Sequence, residues 1–325
     1  MSLDARIGVV GATGAVGTVT LRLLRESGYG NVRAFASARS AGRKLDDGPV
    51  VEEANPETLA AGGLDLVLFS CGTSASLELV PHAVEGGALV VDKSSAYRLK
   101  EGYPLVVPEV NGERAADAIE TTRVVANPNC STIPLTCVLK PLHDAAGLRR
   151  VRLSTYQAVS GAGAQRMQRL RAEPSDEHDL EFDWPWEGDE TEEEAKIRAE
   201  ARKILELPGL PLSATTVRVP VVVGHAQSIW VETEEPLSPE QAETVLAAAP
   251  GLRLVETPTP RAAAQTEDVL VGRVRQDRAA QVNGDTGSGL VLFLACDNLV
   301  KGAALNALQI AELLLDGSRS ATQAA

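Results

Sequence analysis

A chain of 325 residues, 44% hydrophobic and 23% charged, has the makeup of a folded protein and the length of two cores rather than one. Its formal charge of -13 disfavours a nucleic-acid backbone or an anionic membrane as partner, and an anionic substrate would need a local cluster of Arg and Lys. Four scattered cysteines, Cys71, Cys130, Cys137 and Cys296, lack metal-type spacing, so reduced thiols in a cytoplasmic protein are expected, with no disulfide framework and no bound metal.

In chain order, residues 6–10 read as a strand, with no room before them for a signal peptide. Residues 15–27 read as an amphipathic helix, 32–36 as a strand, 64–70 as a strand and 74–85 as a helix. Strands at 88–92 and 124–126 complete a β-α-β rhythm that predicts an open, mostly parallel sheet. After Cys130 the texture changes. A helix over 132–146 precedes longer strands at 150–159, 213–223, 228–232 and 289–296, which predict a second, larger sheet of mixed direction. Residues 173–194, acidic and bearing Trp and Pro, read as a surface excursion. An apolar-periodic helix over 302–315 and a frayed polar tail end the chain. The longest apolar runs fall far short of the ~20 residues of a membrane span.

The predicted class is α/β, a Rossmann-type dinucleotide-binding domain plus a mixed-sheet α+β catalytic and dimerisation domain. The first comprises residues 1–129 with 302–325, the second 130–301, and ligands are expected at the carboxyl ends of the strands between them.

The run from Gly8 to Gly17, GVVGATGAVG, stands where the first strand turns into the first helix. Gly11, Gly14 and Gly17 permit a tight turn, close approach to a pyrophosphate and helix-on-strand packing. Thr13, Ala15 and Val16 lie in the same turn, where free N–H groups meet negative charge. At the end of the second strand an NAD site usually has an acid, but this chain has Ser37, Arg39 and Ser40. Two hydroxyls and a guanidinium suit a 2′-phosphate, so NADP is expected.

Asn127-Pro128-Asn129-Cys130-Ser131-Thr132-Ile133-Pro134 follows an apolar strand and opens a helix. A thiol at a helix N-terminus gains thiolate character from the dipole, which marks Cys130 as a nucleophile. Cys71, Cys137 and Cys296 read as core fillers, and His82, His143 and His178 as structural.

With the glycine loop, the Asn127–Thr132 run resembles the aspartate-β-semialdehyde dehydrogenase family. Matching stretches extend along nearly the whole chain, among them 94–98 (SSAYR), 107–111 (VPEVN), 156–163 (YQAVSGAG), 217–220 with His225, and 297–304 (DNLVKGAA). The resemblance implies a small-molecule reaction that starts from β-aspartyl phosphate. Cys130 attacks the acyl carbonyl and expels phosphate, hydride from NADPH reduces the thioester, and collapse releases aspartate β-semialdehyde for lysine, threonine and methionine biosynthesis. By the same resemblance His225 is the acid/base and Gln157 orients the acyl group. Arg218 takes the α-carboxylate and Glu193 the α-amino group, while Arg98, Asn129 and Lys196 hold phosphate. Ser160, Gly161 and Asn298 join the cofactor site, and the assembly is a homodimer or a dimer of dimers.

Glu192 and Glu194 are rivals to Glu193 for the amino group. The chain departs from the family over 176–189, where Trp184-Pro185-Trp186 replaces an Asn-x-Ile-Pro pattern. The alternatives are an N-acetyl-glutamyl-phosphate reductase, whose signature carries His-Pro-Gly-Cys, a malonyl-CoA reductase, and a non-catalytic NADP-binding paralogue.

Overall fold

The computed structural model describes residues 3–46, 48–172, 180–279 and 289–324. The chain divides into two compact units, Met1–Pro128 with Ala303–Ala325, and Asn129–Gly302.

In the first unit the elements run β1 (Ile7–Val10), α1 (Ala15–Glu26), β2 (Val32–Ala36), β3 (Val51–Glu53), α2 (Pro56–Ala60), β4 (Leu66–Phe69), α3 (Thr73–Glu85), β5 (Leu89–Asp92), α4 (Pro108–Asn111) and β6 (Val124–Ala126). The six strands join in the order β3-β2-β1-β4-β5-β6, every pair parallel. β1, β4 and β5 are buried at every residue, as a sheet covered on both faces requires. The order reverses between β1 and β4, the position at which such sheets open a crevice for ligand. The C-terminal helix (Leu305–Ala324) adds Ala307, Ile310, Ala311 and Leu314 to the core formed by Val9, Leu24, Leu66 and Val91. It follows a π-helical turn over Val300–Ala304 and continues through the polar stretch expected to fray.

In the second unit α5 (Thr132–Ala146) leads into β7 (Leu148–Ala158) and α6 (Ala164–Ala172). A two-stranded ribbon, β8 (Trp186–Glu187) and β9 (Glu190–Thr191), precedes α7 (Glu192–Ile204), β10 (Leu212–Val219) and β11 (His225–Thr233). α8 (Pro239–Ala248), β12 (Leu252–Leu254), α9 (Pro260–Ala263), β13 (Val269–Gln276) and β14 (Gly289–Cys296) complete it. Its sheet, β10-β7-β11-β14-β13-β12, is mixed: β7 and β10 are parallel, while β11 runs against both β7 and β14. It equals the first sheet in strand number and exceeds it only in strand length.

The sequence pattern does not predict β3, α2, α4, α6, the β8–β9 ribbon, α8, β12, α9 or β13. β13 hides its alternation behind a register shift between Gly272 and Arg275. A Cβ on Gly272 would lie 1.9 Å from the Val255 carbonyl oxygen, so only glycine fits that approach. Part of the 173–194 stretch, residues 173–179 with His178, lies outside the described residues. Among the described residues, no helix is long and apolar enough to cross a membrane and no cluster of side chains could hold a metal ion.

Candidate active site

Cys130 lies in the turn that opens α5. The Asn129 carbonyl accepts from the Thr132 and Ile133 amides at 3.0 and 3.1 Å, and Asn129 Oδ1 accepts from Ser131 N at 2.7 Å. This Asx turn holds a half-buried thiol at the helix entrance. Gly302 backs it, since a Cβ there would lie 3.2 Å from both Cys130 Cβ and its carbonyl oxygen.

His225, the first residue of β11, presents Nε2 to Cys130 Sγ at 3.3 Å. Its Nδ1 accepts from the Ala158 amide at 3.0 Å. A neutral ring accepting at Nδ1 carries its proton on Nε2, so the N–H points at sulfur. Burial pushes the His225 pKa down to about 3, helped by the nearby Arg218 charge and opposed by the Gly224 backbone.

Three neighbouring strands bring the other groups together. Arg218 on β10 is the register partner of Gln157 on β7, and Ala226 on β11 pairs with Tyr156. Gln157 Nε2 donates to Glu193 Oε1 at 3.0 Å, and Asn129 Nδ2 donates to both Glu193 oxygens at 3.0 and 3.1 Å. All three side chains are buried. The neighbours of Glu193 have other tasks: Glu192 pairs with Lys196 at 2.5 Å, while Glu194 closes a capping box with Thr191 and accepts from Thr216 N. Lys196, three residues after Glu193 on the same helix, is held by Glu192.

The Arg218 side chain is 6% exposed; its Nε donates to Asp183 at 3.2 Å and its Nη1 to the Ala158 carbonyl at 3.1 Å. Gly161 faces it, and a Cβ there would come within 3.0 Å of Arg218 Nη1 and 3.3 Å of His225 Nε2. Ser160 and Asn298 are buried and hydrogen-bonded to each other, and Asn298 Oδ1 also accepts from Gly224 N. Arg98 belongs to the other unit, where it donates to the Lys93 and Asn127 carbonyls.

The glycine loop of the first unit has the shape a dinucleotide phosphate needs. Gly14 caps α1 with no side-chain hydrogen bond and no acid follows in the first turn. Gly11 has φ +81, and a Cβ on it would meet the Ser70 carbonyl oxygen at 2.4 Å. A Cβ on Gly17 would meet the Gly11 carbonyl oxygen at 2.1 Å. Gly17→Val is thus expected to cost about 2 kcal/mol or more, read as a lower denaturant midpoint at unchanged m. Ser37, Ala38, Arg39 and Ser40 form a short exposed turn after β2, with no acid among them.

Two family models match the chain: the NAD binding domain of semialdehyde dehydrogenase over residues 6–118, and the semialdehyde dehydrogenase dimerisation domain over residues 139–184 and 183–301. The aspartate-semialdehyde dehydrogenase of Mycolicibacterium smegmatis is 44% identical, over 95% of this chain and 98% of its own. The chain belongs to the aspartate-semialdehyde dehydrogenase family. Among solved structures, aspartate semialdehyde dehydrogenase II of Vibrio cholerae, complexed with ASA, has a TM-score of 0.87 at 36% identity, covering 96% of this chain and 98% of its own. The aspartate semialdehyde dehydrogenase of Candida albicans with NADP has a TM-score of 0.76 at 26% identity, covering 97% and 99%. Membership makes the chain an oxidoreductase acting on an aldehyde, with an NAD(P)-binding Rossmann unit.

Beyond the residues matched to the aspartate-semialdehyde dehydrogenase family, two more contact this site. Glu200 Oε2 accepts from Asn129 N at 2.7 Å; it lies two turns after Glu193 on the buried stripe of α7, a spacing readable in sequence. Asp183 carries no local signal, because its contact with Arg218 comes from a distant part of the chain. Cys137 and Cys296 are buried, burial raises the Cys71 pKa, and His143 Nδ1 accepts from Leu148 N.

Proposed function

We propose that the protein catalyses the reversible NADP-dependent reductive dephosphorylation of β-aspartyl phosphate to aspartate β-semialdehyde through a Cys130 thioester, in the biosynthesis of lysine, threonine and methionine. The observation that carries this reading is the 3.3 Å approach of His225 Nε2 to Cys130 Sγ, beside a buried amide–carboxylate cluster and a buried Arg.

Cys130 as thiolate attacks the acyl carbon, and phosphate leaves with the electron pair of the broken C–O bond. The Nε2–H of His225 donates first to the thiolate and then to the oxygen that gains charge in the tetrahedral intermediate, so the ring acts from its donor side. Gln157 and Asn129 hold Glu193 by three hydrogen bonds, leaving a fixed anion suited to the α-ammonium. Among the described residues, Arg218 gives one N–H each to Asp183 and Ala158 of the five it carries, which leaves enough for a bidentate grip on the α-carboxylate. Arg98, Lys196 and Asn129 take the phosphate.

Gly11, Thr13, Gly14, Ala15 and Val16 would hold the NADP pyrophosphate, Ser37, Arg39 and Ser40 its 2′-phosphate, and Ser160, Gly161 and Asn298 its other end. When bound, the dinucleotide supplies or removes the hydride. Arg39→Ala is expected to raise KM for NADP about tenfold or more while leaving that for NAD nearly unchanged, measured by steady-state kinetics with each cofactor. The protein works in the cytoplasm as a homodimer or dimer of dimers, a reading that the match to a dimerisation domain supports.

The test is phosphate-dependent NADP reduction with aspartate semialdehyde against N-acetylglutamate semialdehyde. Preference for the acetylated aldehyde would overturn the substrate assignment.

A further inference from the structure

Residues 181–184 lie against Arg218. Glu181 and Arg218 exchange both backbone hydrogen bonds, at 3.1 and 2.8 Å, which adds residue 181 to the edge of β10 as an isolated antiparallel bridge. Two residues on, the Asp183 carboxylate accepts from Arg218 Nε, and the Trp184 ring covers the guanidinium with its centroid 4.3 Å from Cζ. Arg166 on α6 binds both Asp183 and Glu181. The side chains form an alternating chain of charge, Glu181–Arg166–Asp183–Arg218, with Arg218 at its end.

We propose that Asp183 and Trp184 are positioning residues that set the plane of Arg218 for the substrate carboxylate, an inference that rests on the reading of Arg218 given above. An unrestrained guanidinium samples many rotamers and loses that freedom when it grips a ligand. Here three contacts fix it beforehand. Asp183 takes Nε–H, the Ala158 carbonyl takes an Nη1–H, and Trp184 closes one face. Sharing Asp183 with Arg166 weakens its claim on Arg218, so Arg218 keeps charge to offer a ligand. The stacked ring also excludes water from one side of the fork, which strengthens the ion pair that a carboxylate makes there. Asp183 and Trp184 meet the site through Arg218, so they act on binding of the carboxylate end rather than on the chemical step.

The experiment compares Asp183→Ala, Asp183→Asn, Trp184→Leu and Arg218→Lys by steady-state kinetics in the phosphate-dependent oxidation of aspartate semialdehyde. Asp183→Ala and Trp184→Leu are each expected to raise KM for the aldehyde about tenfold, with kcat within about threefold and KM for phosphate and NADP unchanged. Asp183→Asn, which keeps an oxygen for Nε–H, recovers part of the loss and serves if the alanine variant folds poorly. If Arg218→Lys raises the aldehyde KM while Asp183→Ala or Asp183→Asn, and Trp184→Leu, leave it unchanged, the positioning role is wrong and the reading of Arg218 survives. A fall in KM for Asp183→Ala would also overturn it, because Asp183 would then be a competitor for the fork. An unchanged KM in Arg218→Lys removes the reading of Arg218 and this inference together.

Discussion

Replacing Cys130 with alanine is expected to lower kcat for phosphate-dependent aldehyde oxidation by about 10⁴-fold or more, since the two other thiols of this unit are out of reach of an acyl group. Cys296 is fully buried and burial holds its pKa well above the ordinary thiol range. Cys137 is buried inside α5. Neither can substitute. The fold should be preserved, because the turn at Cys130 is tied by Asn129 through main-chain amides rather than by the thiol. The check has two parts: the rate itself, and mass spectrometry of the enzyme quenched during turnover, where only the wild type carries an acyl adduct. Activity of the alanine variant near wild type would remove the covalent mechanism altogether.

The second large effect belongs to His225. Removing its Nε2–H by His225→Ala is expected to reduce kcat about 10²- to 10⁴-fold. The pH behaviour separates a donor from a base. With a pKa near 3 the ring stays neutral through the working range, so kcat/KM should show no acid limb from this group between pH 5 and 7. An acid limb with a midpoint near ~6.5 that disappears in the variant would show instead a ring that titrates freely. Stability follows the same proton. The unfolded His takes a proton near ~6.5, while the folded one refuses it until about pH 3, so this group erodes stability as pH falls through that window. The slope is about 1.4 kcal/mol per pH unit, and His225→Ala should lose it in urea melts taken between pH 6 and 4.

Much of this was legible in the sequence because it rests on local rules. The helix over 132–146 and the strands over 32–36, 124–126 and 289–296 match the structure to the residue. The strands at 124–126 and 289–296 are free of charged residues, and the 132–146 helix carries its apolar residues at helical spacing. β13 was not legible, since the Gly272 bulge breaks the period of two just where a strand would have been recognised. α8 lacks a clear apolar period, yet Ser238-Pro239-Glu240-Gln241 spells a capping box, and that box is formed. The rivalry among Glu192, Glu193 and Glu194 had a similar key: Thr191 three residues before Glu194 marks the last as the cap and frees Glu193 to turn inward. The contact of Asp183 and Trp184 with Arg218 had no such key. It depends on side chains 35 residues apart, brought together by the Glu181–Arg218 bridge.

Gln157, Arg218 and His225 stand on adjacent strands of one sheet, and this constrains how the gene can change length. Strand residues alternate between faces, so deleting one residue within β7, β10 or β11 would reverse the parity of everything beyond it. Gln157 would trade its face for that of Tyr156, and no point substitution could repair the exchange. A change of length is therefore tolerated in the connections rather than in these strands. The segment between α6 and α7 is such a connection.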